Sequence, residues 1–325
     1  MAAASVAIAA ALAEEDFTGS EGVLSGFGGG VTNKSHGGGP RGSLENVPHG
    51  MVHGGVGGAR GLMSAFETAG LDPIFWLHHA NIDRLWEVWL HLGGARSNPT
   101  ERRWLETAFT VGQGGAAVTL TVRDVIDSSK APLSYSYSDV SVPVTESALQ
   151  PQVPPARREG PRMRRTRIPE MIGGSDSAVP LTHDQTHAEI ALSSPSGPAR
   201  ARPELEAGEL PRVYLKIENI TGSTSAGAAY AVHLNLPRGA KSVDHPELEA
   251  GHIALFGVPE ATALDERHTG SGVTVSFDIT NIVRQQEQSG DWDPRRLRVT
   301  FTPLSHADQT GESDIRAGRV SVFVA

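Results

Sequence analysis

The sequence predicts a two-part α+β chain. A mostly helical domain covers residues 1–140, an antiparallel β-sandwich or barrel covers residues 181–325, and a Pro- and Arg-rich linker at 141–180 joins them. Three observations carry this reading. Gly70 to Gly94 is one long segment framed by helix start and stop signals. From Arg212 onward the apolar pattern has a period of two, and Pro154 to Arg167 between them mixes Pro and Arg without any apolar period. At 325 residues and 38% hydrophobic the chain can fill two cores, while 37 Gly and 21 Pro demand many turns.

In chain order, Ala2 to Phe17 reads as an alanine-rich helix. The run Ala2 to Ala13 has the apolar character of a signal-peptide core, but the first basic residue is Lys34, so the basic leading segment of a signal is missing. Thr18 to Ser43 is Gly-rich loop, with His36 alone in it. Glu45-Asn-Val-Pro-His-Gly-Met-Val-His53 then places His49 and His53 four residues apart. On a helix both imidazoles would face one way and could hold one ion. In the long segment Asp72 can cap a helix, Pro73 suits its first turn, and Gly93-Gly94 can end it. Phe75, His79, Ile82, Asp83, Trp86 and Leu90 fall on one face at helical spacing. A histidine within such a face is either a satisfied core residue or a ligand; with His49 and His53 it makes three neutral imidazoles, a donor set that suits copper or zinc.

Farther on, Trp104 belongs to a short helix and Ala117 to Val122 is extended. The arginines of the linker read as a solvated tether, with an acidic partner as the alternative. His183 and His187 repeat the four-residue spacing, but Ala188-Glu-Ile-Ala-Leu-Ser193 alternates like a strand, where such spacing separates two side chains too far to chelate easily. Strands are expected at Val213–Ile217, Tyr230–Leu236, His252–Phe256, Val273–Ile279, Leu297–Phe301 and Arg319–Val324, about seven with the one near Ile190. His233, His245, His252, His268 and His306 lie scattered over this part without ligand spacing and read as structural or surface residues.

Two stretches together resemble a known family. Glu45-Asn-Val-Pro-His-Gly-Met-Val-His53 and Asp72-Pro-Ile-Phe-Trp-Leu-His-His-Ala-Asn-Ile-Asp-Arg-Leu-Trp86 are similar to the copper-B half of tyrosinases, catechol oxidases and haemocyanins, the type-3 copper proteins. The resemblance implies a four-helix-bundle core, of which this chain holds the copper-B half. It implies copper as cofactor, with His49, His53 and His79 as ligands, and a phenolic substrate oxidised with dioxygen. His78 becomes a residue behind the ligands, and Asp83 and Arg84 a polar pair bracing the helix. Glu45 matches a glutamate that holds a water near copper in relatives, or else it is a carboxylate favoured by a helix N-terminus. Phe66 matches a bulky gate over the copper, or else it is a core aromatic. Gly50 departs from the Asn found in strong phenol hydroxylators, so diphenol oxidation is the expected chemistry. Tyr135-Ser-Tyr137 resembles the Tyr-x-Tyr pair that closes the family's catalytic domain, and the β part resembles the C-terminal domain that covers the copper site in latent forms.

Several classes drop out. A net charge of −9 argues against a nucleic-acid partner. The absence of cysteine rules out disulfides, thiolate metal sites, blue copper and a Cys–His thioether. No run of 18 apolar residues exists to span a membrane. The copper-A motif of the family has no counterpart here, so two readings stay open. One is an o-diphenol oxidase represented by a fragment; the other is a catalytically silent, single-metal or metal-free remnant that binds or builds. Oligomeric state and localisation are not legible.

Overall fold

The structure is a computed structural model describing residues 2–19, 26–30, 39–58, 61–112, 114–143, 169–193, 211–223, 229–265, 269–304 and 314–325. His36, His268, His306 and the Pro/Arg stretch Pro154–Arg167 lie outside the described residues. No helix among the described residues is long and apolar enough to cross a membrane.

The amino-terminal part is built on helix α4 (Pro73–His91), with α1 (Ala2–Ala13), α2 (Met51–Gly57) and α3 (Phe66–Ala69) before it. Asp72 caps α4 as expected: its carboxylate accepts from the Ile74 amide at 3.0 Å. At the other end Gly93 and Gly94 take φ of +66° and +73°, a left-handed exit that suits glycine. The buried face of α4 differs from the expected stripe by about one residue: Leu85, Val88, Trp89 and His78 are buried, while Phe75, His79, Ile82, Asp83, Trp86 and Leu90 are half-buried. That stripe is the rim of the core face. Neighbours at i+3 and i+4 cannot by themselves say which edge of a broad apolar arc meets α1. The core joins Ala11 and Leu12 of α1 to Phe27, Leu44, Leu85, Val88 and Trp89. The Trp89 ring stacks on Phe27 at 4.5 Å and its indole N–H donates to the Glu14 carbonyl at 2.7 Å. Helix α1 ends at Ala13, short of the expected Phe17, whose ring packs against Trp86 at 5.2 Å.

Beyond α4 come α5 (Arg102–Leu105), the hairpin β2 (Ala108–Val111) and β3 (Val118–Thr121), and α6 (Val122–Val125). The Tyr-x-Tyr segment folds back on α4. The hydroxyls of Tyr135 and Tyr137 each donate to the Asp83 carboxylate at 2.6 Å. Arg84 donates to the Asn81 side chain and to the Asp139 carbonyl.

The carboxyl-terminal part is built on one sheet that has ten strands among the described residues, nine of its own against about seven expected and one from the amino-terminal part. Its members are β1 (Gly39–Pro40), β4 (Glu170–Gly174), β5 (Val179–Pro180), β6 (Thr186–Leu192), β7 (Val213–Thr221), β8 (Ala229–Leu234), β9 (Glu249–Ala254), β10 (Val273–Asp278), β11 (Arg296–Pro303) and β12 (Arg316–Val324). The order is β1-β10-β7-β12-β4-β6-β11-β8-β9, with β5 on β12. All pairings are antiparallel except β1 with β10. Apart from β1 the sheet begins at Glu170, ahead of position 181; Glu170-Met-Ile-Gly-Gly174 is too short and glycine-rich to show alternation. Alternating residues such as Ile190, Leu215, Ile217, Val232, Leu234, Val299 and Phe301 fill one core, and α7 (Val258–Thr262) and α8 (Thr280–Ser289) pack beside it. The sheet curls, so that Gly251 of β9 lies against the Phe277 ring of β10.

The two parts interlock. Strand β1, from the amino-terminal part, extends the sheet at β10, with the Arg41 amide donating to the Thr274 carbonyl at 2.9 Å. At the other end of the sheet the Asn46 side chain acts as a substitute strand on β9. It donates to the His252 carbonyl at 2.7 Å and accepts from the Ala254 amide at 3.1 Å.

Candidate metal centre

The cluster forms where two helical segments cross. Residues Glu45–Gly50 make a wide helical turn that runs into α2, broken only at Val47, whose φ of −146° and ψ of 119° are extended. The turn and α2 put His49 and His53 on successive turns, with ring centroids 4.7 Å apart. Helix α4 brings His78 and His79 to the same point: His79 lies 5.0 Å from His49 and 5.5 Å from His53, and His78 lies 5.4 Å from both.

The polar contacts fix which nitrogens face inward. His53 Nδ1 sits 2.7 Å from the Met63 carbonyl, so Nδ1 carries the proton and Nε2 keeps its lone pair. That Nε2 is 3.2 Å from Nε2 of His79. His49 Nδ1 lies 3.0 Å from a carboxylate oxygen of Glu45, which leaves its Nε2 free. His78 Nε2 is buried and has no hydrogen-bond partner. Two nitrogens can share one ion only if they are closer than twice a bond of about 2.0–2.1 Å, and the His53–His79 pair at 3.2 Å meets that test. Donor atoms of His49, His53 and His78 all lie within 4.8 Å of one another, slightly wider. Four imidazoles, two of them with a buried ring nitrogen that makes no hydrogen bond (His49 Nδ1 and His78 Nε2), fit a metal of the copper or zinc type.

Electrostatics agree with a ligand role. Burial first, then the neighbouring imidazoles, pushes His78 and His79 down to about 4, and burial also lowers His53. These rings are therefore neutral at pH 7, the form that binds metal. Burial alone would raise the Glu45 carboxyl, but His49, Arg41 and His53 hold it at about 2.

Phe66, expected as a gate, packs against another ring that lies on the cluster. The covering ring is Phe256, from the loop after β9, which stacks on His53 at 3.9 Å and 14°. It meets His49 edge-on at 5.9 Å, and Phe66 packs against its outer side at 4.8 Å. Sequence reasoning missed Phe256, since Leu255-Phe256-Gly257 ends an ordinary alternating run. His78, expected behind the ligands, points into the cluster alongside His79, because consecutive residues about 100° apart both border a ligand pocket this wide.

Of the other described histidines, three lie on strands of the sheet. His187 lies on β6 and contacts the Thr300 hydroxyl at 3.0 Å. His233 and His252 face opposite oxygens of Glu249, at 3.9 Å and 3.4 Å.

A helical pair that gathers imidazoles at one point, under a β domain that closes over them, defines a histidine cluster with the donors of a metal centre and a covering domain. Residues 2–92 match the family described as the common central domain of tyrosinase, and residues 168–325 match a domain of unknown function. These matches and the relatives below support the tyrosinase and polyphenol oxidase family. Tyrosinase HcTyr1 of Hahella sp. (strain CCB-MM4) is 36% identical over 315 residues, which cover 96% of this chain and 62% of that protein. Catechol oxidase B of Solanum tuberosum is 28% identical over 271 residues, 81% of this chain and 42% of the relative. The chain thus spans less than two thirds of the length of these relatives. In fold it is similar to a latent aurone synthase (polyphenol oxidase), with a TM-score of 0.59 at 21% identity over 98% of this chain and 57% of the other. Latent apple tyrosinase gives 0.55 at 20% identity over 98% and 64%.

Proposed function

We propose that this chain is the copper-B part of a tyrosinase-type oxidoreductase that oxidises o-diphenols to o-quinones with dioxygen, and that His49, His53 and His79 hold its copper. The observation that carries the reading is the His53–His79 contact at 3.2 Å, with His53 locked by the Met63 carbonyl into the tautomer that offers Nε2. When bound, copper supplies the exchange between Cu(I) and Cu(II) that the oxidation of a diphenol requires. The protein's own part is positional. Glu45 orients His49, Met63 orients His53, and the Asp83–Tyr135–Tyr137 brace fixes the angle of α4. Phe256 lies flat on His53, where the ring of a phenol approaching the copper would lie, and together with Phe66 it keeps water from the cluster. In this closed arrangement a phenol and Phe256 compete for one place.

A second ligand set has its own support: His78 offers a buried, unpartnered Nε2 and completes the compact trio with His49 and His53. The family resemblance and the shorter His53 contact favour His79. Among the described residues there is one such cluster, and a dicopper site needs six imidazoles. The chain alone is therefore expected to hold one copper tightly and to leave catechol unoxidised. The decisive experiment joins it to the copper-A segment of a relative and measures catechol-dependent oxygen uptake. Turnover in the joined protein, lost in His53→Ala, is the expected result. Two bound coppers without turnover would overturn the oxidase reading in favour of a silent metal-binding remnant.

A further inference from the structure

Gly50, directly after His49, has ordinary helical angles, φ −62° and ψ −31°, which any residue adopts. Within a helical turn glycine costs about 1 kcal/mol relative to alanine, so its backbone freedom gives no reason for it here. The reason is on the neighbouring domain. A Cβ at position 50 would fall 2.8 Å from the Cβ of Ala254 and 3.8 Å from that of Phe256. Ala254 has no flexible side chain to turn aside, and its backbone is pinned. Its amide donates to Asn46, its carbonyl accepts from Arg41, and Arg41 also donates to the Phe256 carbonyl. Arg41 and Asn46 are themselves buried, so no other group replaces these bonds locally. Beyond Phe256 the chain turns away at Gly257, φ +75°, where a side chain would strike the Phe66 ring at 2.6 Å.

We infer that position 50 is a seat for Ala254: the β domain imposes glycine beside the first histidine, and the Gly50–Ala254 contact, clamped by Arg41 and Asn46, holds Phe256 on His53. A side chain at position 50 and the docked domain exclude each other. The residue next to His49 thus governs whether the cluster is covered, independently of any role it has toward substrate. The inference deepens the copper-site reading and rests on it for its catalytic consequence, whereas the steric coupling holds without metal.

The test uses the full metal-free chain and the rate at which diethylpyrocarbonate modifies His53, followed by mass spectrometry. His53 is 1% exposed and should react slowly in the wild type. Gly50→Ala should speed its modification on the order of tenfold or more, because overpacking raises the population of undocked chain. Adding Ala254→Gly removes the opposing methyl and should restore protection, while Phe256→Ala should expose His53 with position 50 untouched. Gly50→Ala reacting like the wild type, or the double variant reacting as fast as Gly50→Ala, would overturn the inference. If Gly50→Ala does not fold, the double variant decides: folded with His53 protected supports the seat, unfolded overturns it. Because the readout needs no copper, failure of the copper assignment would leave this result standing, and the reverse holds too.

Discussion

His53 does more at this site than any other single residue. One nitrogen is committed to the Met63 carbonyl and the other faces His79, while Phe256 covers the ring. Adjacent His78 and His79 are distinguished by substitution: His79→Ala should abolish tight copper binding, and His78→Ala should weaken it about 10–100-fold, as loss of a supporting group does. The reverse order, read by copper titration against a competing chelator, would transfer the ligand role to His78. A second prediction concerns Asp83. Burial and the hydrogen bond to Asp83 push the Tyr135 hydroxyl up to about 12, and the same causes raise Tyr137. A raised phenol favours the folded state while protonated, so this contribution is complete below about pH 10 and is lost as pH rises through about 12. Asp83→Asn should bring both titrations back toward about 10 in an ultraviolet pH titration; unchanged curves would remove the brace. The pairs His49–His53 and His78–His79 are legible because the spacing within each is local, although the sequence resemblance places His78 behind the ligands. Phe256 is not legible, since nothing near Leu255-Phe256-Gly257 links it to His53 some two hundred positions earlier in the chain.

Helix α4 and the strands show the same division between local and distant causes. The Asp72 cap and the Gly93-Gly94 exit are short-range chemistry and stand as read from the sequence. The buried face is a tertiary matter, set by where α1 and Phe27 meet the helix, and the stripe marked only its edge. Strands β6 to β12 announce themselves by alternation, whereas β1, β4 and β5 are two to five residues long and exist because a longer neighbour supplies the ladder. Trp89→Ala should cost about 3–5 kcal/mol, by loss of a fully buried, stacked ring, and Asp72→Ala about 1 kcal/mol, by loss of a cap. Urea denaturation of each variant checks the order. A Trp89 variant as stable as the Asp72 variant would mean that the α1–α4 core does not hold the amino-terminal part together.

At the scale of the whole molecule, two parts with separate cores are joined through the edges of one sheet. Strand β1 extends it at β10, Arg41 and Asn46 cap it at β9, and Asn46 is on the turn that carries His49. Covering the histidine cluster and capping the sheet at β9 thus happen at one place, the junction of the two parts. The central claim is that His49, His53 and His79 form a copper site. It is tested most directly by copper stoichiometry and X-ray absorption of the intact chain beside its His53→Ala variant. One copper per chain with imidazole nitrogens at about 2.0 Å, absent from the variant, is the predicted result. Copper that binds the variant as well as the wild type, or binds without imidazole ligands, would contradict it.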